Sequence, residues 1–201
     1  MILELIYHRR NSIESIIATD TKYGVEVDIR SHGNDLVIHH DPFFSGVLFT
    51  DWLALYKHGT LILNVKEEGL ESRLINLMHD KGITEYFFLD QSFPFLIKWA
   101  IAGEHRCAVR VSEYESIETA LTLSKKINWV WIDCFSDFPL TMVGYQALKN
   151  AGFNLCLVSP ELQGRDPVMG IISMANFLRE NHMIMDAVCT KRPDLWEKQV
   201  S

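Results

Sequence analysis

Eight short apolar runs recur along the chain, and each of the seven gaps between them holds a glycine or asparagine just ahead of the next run. The runs are 2–7, 25–29, 61–65, 86–89, 107–111, 129–132, 154–158 and 187–189. The residues ahead of them are Gly24, Gly59, Gly82, Gly103, Asn128, Gly152 and Asn181. Glycine and asparagine tolerate the left-handed backbone that closes a helix, so each reads as a helix exit feeding a strand. The intervening segments carry helical periodicity. Segment 70–81 sets Leu70, Leu74, Leu77 and Met78 on one face, and 115–126 does the same with Ile117, Ala120, Leu121 and Leu123. Helix starts are marked by Ser112 with Glu115 and Asn11 with Glu14, both at capping-box spacing, and by the pair Asp166-Pro167.

Eight strand–helix units predict a parallel sheet closed into an α/β (β/α)8 TIM barrel. The 201 residues are close to the lower length for that fold, and no composition break divides them, so a single domain over 1–201 is expected. An open doubly wound sheet is the alternative, without a Gly-x-Gly-x-x-Gly turn to support it. Residues 31–42 interrupt the rhythm and read as a turn, a short extra strand and another turn. That places a small β insertion after the second barrel strand, on the face where barrel active sites form.

Polar residues gather at the carboxyl ends of these runs. His8 and Arg9 end the first, and Glu26, Asp28 and Arg30 share one parity on the second. Asn64 and Lys66 share one parity on the third. Asp90, Arg110, Asp133, Glu161 and Lys191 follow at later strand ends. Glu26, Asp28 and Lys66 are the least easily dismissed, because charges set within or beside apolar runs need partners. Two histidines, a carboxylate pair and an arginine are the groups a metal-assisted attack on a phosphate diester needs.

The segments His8-Arg9, Asn11, Glu26-Val27-Asp28 and Val37-Ile38-His39-His40-Asp41-Pro42 resemble the glycerophosphodiester phosphodiesterase family, relatives of the phosphatidylinositol-specific phospholipases C. By order of motifs, segment 61–66 stands for that family's Glu-x-Lys strand and 188–193 for its last strand. The resemblance implies a TIM barrel and a phosphoric diester hydrolase of lipid metabolism. Glu26 and Asp28 would bind a divalent cation, Mg2+ or Ca2+, with Asn64 a third ligand. His8 and His40 would exchange protons, and Arg9 and Lys66 would offset the charge of the phosphate; Arg110, at the end of the fifth strand, is a further phosphate-binding candidate by position alone. The chain departs from the pattern at Arg10, which replaces a glycine, at Asn64, which replaces a carboxylate, and at Lys191, which replaces an aspartate. These departures motivate a second expectation, a phosphate-ligand binding protein without catalysis. A lyase or aldolase with Lys66 as Schiff-base nucleophile is a third.

The partner expected is a small phosphodiester. A net charge of −7 argues against a nucleic-acid groove, and no run approaches a membrane span. Four cysteines without Cys-x-x-Cys spacing, together with the lack of a charged leader before His8, point to buried reduced thiols in the cytoplasm. Oligomeric state is left open.

Overall fold

The computed structural model describes residues 2–200. Its strands are β1 (Ile2–Tyr7), β2 (Gly24–His32), β3 (Asp35–Ile38), β4 (Val47–Leu48), β5 (Leu61–Val65), β6 (Tyr86–Leu89), β7 (Ala108–Val111), β8 (Trp129–Ile132), β9 (Asn154–Val158) and β10 (Met185–Thr190). The helices are α1 (Ile13–Ala18), α2 (Phe49–Leu53), α3 (Glu71–Asp80), α4 (Phe93–Ile101), α5 (Ile117–Leu121), α6 (Met142–Asn150), α7 (Pro167–Glu180) and α8 (Pro193–Val200). Parallel pairing runs β6-β5-β2-β1-β10-β9-β8-β7. The ring closes between β6 and β7 through one parallel bridge, Phe88 with Cys107, and the Phe88 N–H donates to the Arg106 carbonyl at 2.8 Å. This is the predicted (β/α)8 arrangement, with one thin seam.

Strand alternation sorts the side chains. Val25, Val27, Ile29, Leu61, Leu63 and Val65 point outward into the large core between barrel and helices. The intervening residues point inward, where Ile6, Ile62, Phe87, Leu89, Ala108, Trp131, Cys156, Val158, Ala187 and Cys189 form a separate apolar filling. Trp129 stacks on Phe87 at 4.5 Å within it, a packing role for that tryptophan. The four cysteines are free and buried. At the amino-terminal end Glu4 accepts from the Thr60 N–H at 2.7 Å and its hydroxyl at 2.6 Å. Gly24 and Gly59 are required by this close approach. A Cβ on either would come within 2.9 or 2.5 Å of Glu4 Oε1.

The insertion is a hairpin, with β3 antiparallel to the extension of β2 and β4 beside β3. Three local expectations shift. The helix expected over 115–126 shrinks to α5, capped by Ser116, whose hydroxyl accepts from the Glu118 N–H. Ser112 instead closes a turn with Glu115, and Lys125 takes a positive φ that stops further helix. The capping box of α1 is made by Ser12 and Ser15, which frees Asn11 for the barrel mouth. After α7 the left-handed residue is His182 rather than Asn181. Asp166 caps α7 as its pairing with Pro167 implied, accepting from the Met169 N–H at 2.7 Å.

Candidate active site

The carboxyl ends of the strands enclose a cavity of about 210 Å³. His8, Arg9, Glu26, Asn64, Lys66, Asp90, Arg110, Asp133 and Lys191 line it above Leu89, Trp131 and Val158. Asp28 lies fully buried beside it. Each residue arrives by strand parity. Glu26 and Asp28 are the inward residues of β2, and Asn64 pairs in register with Asp28. Lys66 follows β5, its N–H bonded to the Ile29 carbonyl at 3.0 Å. Arg9 takes φ +52°, an uncommon conformation for a non-glycine residue, and this turns its N–H onto Glu26 Oε2 at 2.7 Å.

The two β2 carboxylates are held by donors from the chain. Glu26 Oε1 accepts from Asn64 Nδ2 at 2.8 Å. Asp28 Oδ2 accepts from Asn11 Nδ2 at 2.7 Å and lies 3.4 Å from Arg9 Nε, while Oδ1 faces Lys66 Nζ at 3.2 Å. Lys66 Nζ also binds Asp90 Oδ2 at 3.0 Å. Arg110 pairs with Asp90 and lies 3.2 Å from Asp133. Burial pushes Asp90 up, but Lys66 and Arg110 outweigh it and hold the carboxyl below its ordinary range.

His8 Nε2 lies 3.9 Å from Glu26 Oε2. Burial, reinforced by Arg9 and Lys191, lowers the imidazole to about 3 against the smaller pull of Asp28. Burial therefore keeps His8 neutral near pH 7, and a base this weak takes up a proton only as negative charge develops beside it. Burial, together with Asp28, raises Glu26 well above the usual carboxylate range, only partly offset by the Asn64 and Arg9 hydrogen bonds.

Of the residues expected from sequence, His8, Arg9, Glu26, Asn64, Lys66 and Arg110 line one cavity, with Asp28 directly beside it. His40 does not line it. Its imidazole is half-exposed on the insertion and bonds Asp41 at 2.8 Å, and its carbonyl accepts from Arg30 at 2.9 and 3.0 Å. His39 stacks on Phe44 at 4.9 Å and is equally outside. Asp90, Asp133, Gln163 and Lys191 complete the lining. Strand-end position marked three of them, but nothing in the sequence marked Gln163, which binds Asp133.

Ca2+ takes six to eight oxygen ligands and Mg2+ six, with water filling many positions, so the one or two carboxylates that anchor either ion must present free oxygens. Here three of the Glu26 and Asp28 oxygens accept hydrogen bonds from the chain, and the fourth faces the Lys66 ammonium. Asn64 turns its donor end, not its oxygen, toward Glu26. Among the described residues no group of three His, Cys, Asp or Glu is placed to hold a metal. The residues present do not fit the cation expected from sequence. Lys66 provides positive charge between Asp28 and Asp90 instead.

No protein-family model and no curated protein matches the chain by sequence. Solved structures do. A glycerophosphodiester phosphodiesterase from Agrobacterium tumefaciens str. C58 superposes with a TM-score of 0.67 at 14% identity, covering 98% of this chain and 99% of that one. A glycerophosphoryl diester phosphodiesterase from Parabacteroides distasonis ATCC 8503 gives 0.68 at 11% identity, covering 100% and 86%. At such identities the likeness shows a shared barrel fold over the whole chain.

Proposed function

We propose that this barrel is a phosphoric diester hydrolase acting on a small, glycerophosphodiester-like phosphodiester. One observation carries the reading. The buried His8 faces a small cavity lined by Arg9, Lys66, Arg110 and Lys191 together with Glu26, Asp90 and Asp133. The fold shared with two solved phosphodiesterases supports it. Arg9, Lys66 and Arg110 neutralise the phosphate oxygens and the charge that develops on them. His8 takes the proton of the attacking hydroxyl or water as the new P–O bond forms. It returns that proton to the leaving oxygen as the old P–O bond breaks, so one histidine serves both halves. Glu26 and Asp28 stabilise the imidazolium formed in between, and Asn11 and Asn64 hold these carboxylates in place. No helix among the described residues is long and apolar enough to cross a membrane, and the buried free thiols suit a reducing compartment such as the cytoplasm.

The test is hydrolysis of bis(p-nitrophenyl) phosphate with and without EDTA. Turnover is expected to persist in EDTA and to fall about 100-fold or more in His8→Ala. Turnover unchanged in His8→Ala would remove the assigned base, and loss in EDTA would restore a metal to the reaction. A second reading, a phosphate-ligand binding protein without catalysis, is favoured by the outlying His40 and by Lys191 in the lining. It predicts phosphate binding with no turnover under any divalent cation.

A further inference from the structure

The seam of the barrel opens into a second cavity. Above the Phe88–Cys107 bridge no strand pairing joins β6 to β7 among the described residues. Asp90, the residue after β6, takes φ +60°, and its carboxylate pairs with Arg110 of β7. A groove of about 640 Å³ occupies the gap between these strands, α4 and α5. Ligand sites commonly enclose about 300–1,000 Å³. Its inner wall is apolar, made by Leu89, Leu96, Ala108 and Val109, with Phe93 and Tyr114 at its sides. Phe93 and Tyr114, 48% and 82% exposed, leave apolar surface uncovered along its sides. Leu89 and Ala108 belong to the barrel filling, so the groove reaches the interior.

The groove also shares Leu89, Asp90 and Arg110 with the phosphate-sized cavity. The Asp90–Arg110 ion pair stands at the threshold between the two. A single ligand can therefore set an anionic group among Arg9, Lys66 and Arg110 and extend its organic part into the seam.

We infer that the seam groove binds one of the two ester groups of the phosphodiester, and that this group is apolar, an aromatic or alkyl alcohol rather than a polyol. The inference rests on the phosphate-site reading above and specifies its substrate class. Hydroxyl groups against Leu89, Leu96, Ala108 and Val109 would lose water without gaining partners, whereas a ring or alkyl segment gains from leaving water. The polar residues of the groove lie at the strand ends, Asp90, Gln91 and Arg110, and along α5 and its start, Glu115, Ser116 and Thr119.

The experiment is calorimetric titration with inorganic phosphate, glycerol phosphate and phenyl phosphate. Phenyl phosphate is expected to bind about tenfold more tightly than the other two, a difference of about 1.4 kcal/mol. Thr119→Trp, on the exposed face of α5 lining the groove, is expected to abolish that advantage and leave inorganic phosphate binding unchanged. Tyr114→Ala, at a largely exposed position where misfolding is not at issue, is expected to reduce it about threefold. Equal binding of phenyl and glycerol phosphate by the wild type overturns the groove assignment alone. An advantage that survives both substitutions does the same. Failure of the wild type to bind inorganic phosphate at all overturns the phosphate-site reading, and the groove assignment with it.

Discussion

Lys66→Met tests the idea that an ammonium supplies the positive charge of this mouth. Lys66 Nζ lies 3.2 Å from Asp28 Oδ1 and 3.0 Å from Asp90 Oδ2, with its side chain 14% exposed. At an effective dielectric of about 20 each contact is worth about 5 kcal/mol before the cost of desolvation, which cancels most of it. The decisive quantity is what is left behind. Asp28 is fully buried, so losing Lys66 strands a charge, and breaking such pairs costs about 3–5 kcal/mol. Asp28 Oδ2 keeps Asn11 and Arg9, which places the expected loss near the lower end, about 3 kcal/mol. For a chain of this size that corresponds to a fall in Tm of about 6–12 °C. The assay is urea unfolding followed by circular dichroism, with phosphate binding measured in parallel. Adding Asp28→Asn to Lys66→Met removes the stranded charge and keeps an acceptor for Asn11. Most of the stability should return, while phosphate binding stays lost. A single variant within about 0.5 kcal/mol of wild type, or a double variant less stable than the single, would refute the role given to Lys66.

Three further outcomes follow from the same mouth. His8 has a folded pKa of about 3 against 6.5 unfolded, so below about pH 6.5 the unfolded chain binds a proton that the folded chain refuses. Stability should therefore fall on acidification, by about 2 kcal/mol more between pH 7 and pH 5 in wild type than in His8→Gln, read from urea midpoints. Glu26 behaves oppositely, because its raised pKa gives stability below the unfolded value that is lost as pH rises through the folded one. Glu26→Gln should be more stable than wild type by about 1–3 kcal/mol at pH 8, with no gain at pH 4. Rotation of the Asn64 amide would offer its oxygen to the new side-chain N–H. Finally, Asn64→Glu adds a third carboxylate beside Glu26 and Asp28, and should acquire a rise in Tm of several degrees in about 5 mM Ca2+ or Mg2+ that wild type lacks. The measurement is differential scanning fluorimetry with an EDTA control, and a wild-type shift of equal size would contradict the donor-set argument.

The barrel was legible from its apolar runs, reinforced ahead of β6, β7 and β9 by left-handed exits at Gly82, Gly103 and Gly152 but not at Gly24, Gly59, Asn128 or Asn181. Segment 61–65 shows how far this reaches. Its apolar run announced β5, and the parity of Asn64 and Lys66 announced the inward face. Where a local signal fits two structures the reading slips. Ser112 with Glu115 has capping spacing, but a side chain can close a turn as readily as begin a helix, and only tertiary contacts decide. Asn11 has the same ambiguity, resolved by Asp28, 17 residues away. His40 follows a matching motif, yet its orientation is set by the path of the β3–β4 connection, which the motif does not encode. The groove at the seam was equally invisible. It lies where β6 and β7 share a single bridge among the described residues, and no residue pattern marks a missing ladder.

The distribution of unused bonding capacity links these observations. His8 Nδ1 and Asn64 Oδ1 are buried without a hydrogen-bond partner among the described residues, and Asp28 Oδ1 has only its ion pair with Lys66. They sit at the ends of β1, β2 and β5, which are consecutive around the ring. Each buried polar atom left unpaired costs about 1–3 kcal/mol, a cost that a ligand seated at this mouth would relieve. Two of the three atoms are obligate acceptors, while Arg9, Lys66, Arg110 and Lys191 around them are obligate donors. A bare anion would satisfy only the cations, and a neutral alcohol only the acceptors. A phosphate ester approached by a hydroxyl or a water satisfies both at once, because its oxygens meet the cations while the O–H turns to the acceptors. That pairing of needs, rather than the count of histidines, is the strongest reason to place phosphodiester chemistry at this mouth.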